Sequence, residues 1–315
     1  MTAAPAAAPP SSANRFLPLA AVAVTVVLWA SAFVAIRHVG HELSPGALTL
    51  GRLLVGSVVL GAFMLGRPQP LPGIAAWPRL VACGVLWFGV YNVALNAAER
   101  RIDAGTASML VNVGPVFIAV LAGIFLGEGF PRRLLIGTAV ALLGVVVIGL
   151  ATSGGTGADA TGVVQCVIAA AAYSTAMIAQ KPLLGRLPAL QVTWLCCTIG
   201  TIVCLPFAST LAHELDRADA STWWWVVYLG ALPTALAFTT WAYALARTSA
   251  GRLGATTYLV PPVAIALSWA LLGETPALLA VLGGLLCIVG VAVTRRAPSV
   301  VAEQAPVAEV ASSPG

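Results

Sequence analysis

The stretch AGTASMLVNVGPVFIAVLAGIFLGE, residues 104–128, recurs as AGRLGATTYLVPPVAIALSWALLGE, residues 250–274, without a gap and at a constant offset of 146. Pro115/Pro261, Leu121/Leu267, Leu126/Leu272, Gly127/Gly273 and Glu128/Glu274 are identical in the two copies. The offset persists outside the window, in Gly84/Gly230, Gly137/Gly283 and Gly144/Gly290. So apolar a chain matches some Ala, Gly and Leu by chance. Shared Pro and Glu landmarks on one offset are harder to obtain that way and mark a duplicated half-protein. Each copy is also long enough to cross a bilayer, which takes about 20 apolar residues. The fold must therefore hold two related halves in a membrane.

Each copy carries a proline near its centre. Proline deletes a backbone hydrogen bond and frees a carbonyl. In lipid such a defect persists only where protein or water satisfies it. Matched interruptions in corresponding helices of two halves point to a transporter's substrate site. The plain alternative is a kink in a packed helix, and the duplication favours the functional one.

Composition agrees with a membrane protein. Of 315 residues, 59% are hydrophobic and 9% charged, against about 25% charged in a soluble domain. The net charge of +5 is no nucleic-acid footprint, because the basic residues are scattered between apolar spans. The six cysteines fall inside expected spans and read as small hydrophobes. Neither a Walker A loop nor HExxH occurs. No catalytic constellation, metal site or cofactor is therefore expected.

Ten spans are expected, at about 17–36, 44–66, 79–98, 104–127, 133–151, 162–180, 189–210, 223–245, 253–272 and 277–294. The domain reading is a disordered cytoplasmic N-terminus (1–16), a first five-helix repeat (17–151), a second (162–294) and a disordered cytoplasmic tail (297–315). With the N-terminus in the cytoplasm, inside segments hold Arg15, Arg67, Arg79, Arg132, Arg133, Lys181, Arg186, Arg247, Arg252, Arg295 and Arg296. Outside loops hold Arg37, Arg100, Arg101 and Arg217. This bias places both termini in the cytoplasm of a multi-pass cell-membrane protein. Five crossings per repeat force the second half to enter the other way up. The fold class is then all-α integral membrane, with ten transmembrane helices as two inverted five-helix repeats around a central cavity.

The chain resembles the drug/metabolite transporter superfamily in its ten-helix EamA-type branch. The resembling features are Leu28-Trp29-Ala30-Ser31-Ala32-Phe33, Leu50-Gly51-Arg52, and the Pro115…Gly127-Glu128 and Pro261…Gly273-Glu274 blocks, each followed by a proline, Pro131 or Pro276. The resemblance covers about residues 17–294. It implies a basket of ten helices around a central cavity, and secondary transport of small metabolites, commonly export of amino acids and related compounds. The halves differ at Arg52, which has no basic counterpart near Cys196 or Thr198.

Several residues are candidates for the cavity wall. Arg52 is the sole basic residue within a span, a costly placement. It either holds a substrate carboxylate by a forked contact or binds neighbouring carbonyls and locks helix packing. Trp29 and Tyr173 occupy equivalent positions near mid-membrane and are able to sandwich a planar or apolar group. Asn92 and Asn112 are amides deep in spans, which either glue helices or line a cavity. Asn112 and Tyr258 are repeat partners one turn before Pro115 and Pro261 and are expected to line the cavity together. Trp241 is a further candidate. Glu128 and Glu274 end helices, where the dipole disfavours negative charge. They read either as end caps or as gate or coupling carboxylates. Gly123 and Gly127 form GxxxG, read as close helix packing.

The expected function is a secondary exporter of small metabolites, amino acids or related compounds, working by alternating access. Drug or toxic-compound efflux stays open, although the first helix lacks the acid used by cation/proton antiporters of the superfamily. An intramembrane enzyme or lipid-handling scaffold is a remote alternative, because nucleophile, base and metal ligands do not converge. The expected partners are a small-molecule substrate and the lipid bilayer, with no nucleic acid. A homodimer is left open.

Overall fold

The structure, a computed structural model, describes residues 13–67, 69–101, 110–152, 159–272 and 278–295. These are helical throughout, with no strand among the described residues. In chain order the segments are α1 (Ala13–Val39), α2 (Pro45–Leu65), α3 (Ile74–Ala98), α4 (Gly114–Phe125), α5 (Arg132–Thr152), α6 (Ala160–Leu183), α7 (Ala189–Arg217), α8 (Ala220–Leu245), α9 (250–272) and α10 (Leu278–Arg295). Six of them, α1, α2, α3, α6, α7 and α8, are identified as long and apolar enough to cross a membrane. Helix α1 begins at Ala13, four residues before the expected start.

Helix starts follow local chemistry. Pro45 opens α2, where its missing N–H costs nothing. Asp159 caps α6, accepting from the Gly162 N–H at 2.9 Å. Helix α4 stops at Gly127 and Gly129, both at positive φ (67° and 66°), a conformation open to glycine without strain. This corrects the reading of Gly123 and Gly127 as a packing motif. Gly123 does approach a neighbour, the Phe130 ring, but a Cβ on Gly127 would meet nothing within 4 Å.

The neighbours form a ring in the order α1, α9, α4, α6, α3, α7, α2, α8 and back to α1. Helix α1 lies against α8 and α9 as α6 lies against α3 and α4. Helices α5 and α10 pack together beside α4 and α9. They run antiparallel along a glycine seam. A Cβ on Gly137 would lie 2.6 Å from Gly290 O, and one on Gly144 would lie 2.6 Å from Gly283 O. Midway, Cys287 Sγ donates to Ala141 O at 3.5 Å. Ala141 and Cys287 are themselves separated by the repeat offset, so the seam maps onto itself when the copies are exchanged. In lipid, apolar burial gives helices no net drive to associate, and close backbone approach supplies the attraction instead.

Candidate functional site

Four ring helices are irregular at matched positions. Helix α3 becomes π-helical over Gly84–Tyr91 and α8 over Gly230–Leu236, both starting at repeat-partner glycines. A Cβ on Gly84 would lie 2.8 Å from Cys196 O, and one on Gly230 would lie 2.7 Å from Arg52 O. The glycines thus let α3 approach α7 and α8 approach α2. The wider turn misaligns backbone carbonyls, and side chains take them up. Asn92 Nδ2 donates to Trp87 O and Phe88 O, both at 3.0 Å. Thr234 Oγ1 donates to Leu229 O at 2.8 Å. The chain before α4 turns at residues 112–113, just ahead of Pro115. Helix α9 tightens to a 3-10 turn over Thr256–Leu259, just ahead of Pro261.

These irregular segments, with α1, α2 and α6, surround a cavity of about 80 Å³, measured as space open to the centre of a water molecule. The duplication is visible in its wall. Asn92 faces it with Phe238, Leu95 with Trp241, and Val111 with Thr257, each pair separated by the repeat offset, and Trp29 and Tyr173 face it from the first helix of each half. The aromatic rings pack on one another. Trp29 lies 4.9 Å from Trp241 and 5.3 Å from Phe238 between centroids, Trp87 lies 5.1 Å from Phe238, and Tyr91 lies 5.5 Å from Tyr173. Tyr173 reaches its place because Gly114 has no side chain: a Cβ there would overlap the phenol.

Of the expected site residues, Trp29, Arg52, Asn92, Asn112, Tyr173 and Trp241 share this wall. Arg52 is 5% exposed and is the sole charged residue among the described lining. Its Nε donates to Thr234 Oγ1 at 3.0 Å, so it also ties α2 to the α8 irregularity. Pro115 and Pro261 stand off the wall. They mark the breaks that carry Asn112 and Thr257 to it.

Tyr258, expected beside Asn112, is placed elsewhere. It is fully buried among Ala141, Val145, Ile148, Cys287 and Val291, in the layer between α9 and the α5/α10 pair. The two breaks differ in kind, a turn in one and a 3-10 segment in the other, so equivalent side chains leave at different angles. Glu128 lies at the α4–α5 turn. Its Oε1 accepts from Ala250 N–H at 2.6 Å and its Oε2 from Gly251 N–H at 3.0 Å. It therefore caps the start of α9, a helix of the other repeat, where the dipole favours an anion. Glu274 lies outside the described residues.

Phe33, Trp87, Tyr91 and Phe238 line the cavity without having been singled out as wall candidates from the sequence. A signal existed for two of them. Phe238 is the repeat partner of Asn92, and Tyr91 precedes it. Trp87, in the same π-helical segment as Tyr91, carries no such mark.

Comparison with known proteins adds to this geometry. The profile of the EamA-like transporter family matches residues 17–150 and again 160–296. A "probable terminal-alkyne amino-acid exporter" of Streptantibioticus cattleyicolor is 38% identical over 88% of this chain and 92% of its own. The "uncharacterized transporter YdfC" of Bacillus subtilis is 33% identical over 85% and 87%. A "probable amino-acid metabolite efflux pump" of Salmonella typhimurium is 27% identical over 85% and 91%. A crystal structure 23% identical in sequence has the same fold, with a TM-score of 0.73 over 88% of this chain and 95% of the other.

Proposed function

The chain belongs to the EamA-like transporter family, and on that premise we propose that it exports small carboxylate-bearing metabolites, amino acids or related compounds, by alternating access. The observation that carries this reading is the cavity at the centre of the ring. Equivalent residues of both repeats build its wall, and one buried arginine is its only charge among the described lining. A duplicated wall gives the solute similar surroundings whichever half moves.

In this reading all ten segments cross the membrane, as two inverted five-helix repeats with both termini in the cytoplasm. The antiparallel α5/α10 seam supports the inversion, because its contacts exchange under the repeat offset. Arg52 receives the solute carboxylate, and Trp29, Trp87, Trp241 and Tyr173 pack on its apolar part. Glu128 acts at the closed end. It ties the α4–α5 turn of one repeat to the first turn of α9 in the other, and the tie parts when that end opens. In this reading the solute leaves chemically unchanged; the described lining holds no paired acids, histidine or thiol.

Relatives named as amino-acid exporters and efflux pumps support the substrate range. The test is counterflow in proteoliposomes containing the purified full chain, with radiolabelled amino acids and a parallel panel of cationic drugs. Exchange of labelled amino acid, reduced in Arg52→Gln, is expected. Exchange of the cationic drugs alone would replace this reading with drug efflux.

A further inference from the structure

We propose that the feature this cavity requires in its solute is the carboxylate joined to an apolar body, and that the amino group is not read; this rests on the transport reading above. The formal charge of the described wall is one-sided. Arg52 commits only its Nε to a protein partner among the described residues, leaving its terminal nitrogens for a ligand. The indole N–H groups of Trp29 and Trp241 have no acceptor among the described residues, although Trp241 is only 1% exposed. An indole nitrogen donates and never accepts. Buried donors without partners are costly and rare, and both indoles belong to the wall that Arg52 shares, so the wall favours a solute that brings an acceptor with more than one lone pair. A carboxylate provides that, with two oxygens and about four acceptor sites.

A binding site for an ammonium would look different. It would place a carboxylate, or several carbonyl oxygens, near the bound solute. No Asp or Glu faces the cavity among the described residues. The two backbone carbonyls nearest to hand, Trp87 O and Phe88 O, are already taken by Asn92 Nδ2. The other acceptors on the wall, the side-chain oxygens of Asn92, Asn112, Tyr91, Tyr173 and Thr257, are all neutral, too little to balance a full positive charge in a site that already holds Arg52. The aromatic faces tolerate an ammonium through their quadrupoles, without requiring one. A monoanion neutralises Arg52, whereas a zwitterion brings in a second, poorly matched charge. Deaminated and N-acylated acids should therefore be handled at least as well as the parent amino acid, and the decarboxylated amine poorly.

Four probes sharing one phenyl body separate the alternatives: L-phenylalanine, N-acetyl-L-phenylalanine, 3-phenylpropionate and phenethylamine. Binding to the purified full chain is measured by calorimetry, and exchange by counterflow in proteoliposomes. Both acylated and deaminated acids should bind at least as tightly as phenylalanine, with the amine about tenfold or more weaker, as expected for loss of a charge-assisted contact. In Arg52→Gln the acids should lose that advantage while the amine is unchanged, and Arg52→Lys should restore part of it. Trp241→Phe, which keeps a ring and removes the N–H, should weaken the acids alone. Binding of phenylalanine but neither amine-blocked acid would overturn the proposal, since the amino group would then be required. Exchange of the amine in preference to the acids would leave transport standing and overturn the proposal alone. Absence of binding and exchange for every probe would overturn this proposal and the carboxylate-export reading together.

Discussion

Removing the Glu128 carboxylate should loosen one end of the molecule by an amount that the geometry sets. Its two oxygens accept the Ala250 and Gly251 N–H groups at 2.6 and 3.0 Å. A hydrogen bond to a charged group contributes about 1.5–3 kcal/mol, and an anion at a helix N-terminus a further 0.3–1 kcal/mol or so. The two bonds share one side chain and do not add fully, so Glu128→Ala should cost about 3 kcal/mol. Glu128→Gln keeps the size and one oxygen acceptor and should fall about midway. If the tie holds only while this end is closed, its loss shifts the closed-to-open ratio by up to the same energy, on the order of a hundredfold. The assay is maleimide labelling of Ser249→Cys, at the N-cap of α9, in a background with the six buried cysteines replaced. Labelling should accelerate in the order parent, Glu128→Gln, Glu128→Ala. Indistinguishable labelling rates and melting temperatures in the three proteins would refute the reasoning.

Alanine at Gly144 would put a Cβ 2.6 Å from Gly283 O and 2.7 Å from Cys287 N, forcing α5 and α10 apart at a cost of about 1–3 kcal/mol. Gly73→Ala, whose Cβ meets nothing within 4 Å, should change thermal stability in detergent by less than about 0.5 kcal/mol. Asn92→Leu strips the hydrogen bonds from Trp87 O and Phe88 O; it should destabilise by about 1–3 kcal/mol and abolish exchange in proteoliposomes. Tyr258→Phe removes a buried hydroxyl that lacks a partner among the described residues, so stability should hold or rise and the KM for exchange should not move, whereas Asn112→Ala should raise it. Asp159 lies below the usual carboxylate range because the Gly162 N–H binds it, with Arg101 at 3.8 Å assisting against desolvation. A lowered folded value means its contribution is complete above the ordinary Asp range and is lost as pH falls through the lowered one. The melting-temperature gap between the parent and Asp159→Ala should therefore be constant near neutrality and close below about pH 4.

The amino-acid sequence by itself determined the class and the duplication. Apolar runs of spanning length admit only helices, since every backbone polar group must be paired within the segment. The offset of 146 located matched positions in the fold: Gly84 and Gly230 open the two π-helical segments, and Ala141 and Cys287 touch across the α5/α10 seam. Pro115 and Pro261 marked the broken helices, because loss of an N–H is written in the residue type. The wall of the cavity was only half legible. Trp29, Arg52, Asn92, Asn112, Tyr173 and Trp241 stood out as polar or aromatic groups in unusual places, and they do come together. Whether a side chain faces the cavity depends on the angle at which it leaves its helix, and π and 3-10 turns change that angle without a residue-level signature. That is why Trp87 and Tyr91 turn inward while Tyr258, the equivalent of Asn112, turns outward. The destination of the Glu128 carboxylate was likewise a tertiary matter. Sequence showed an acid at a helix end, where it is unfavourable, and only packing of the two halves supplied the N-terminus that satisfies it.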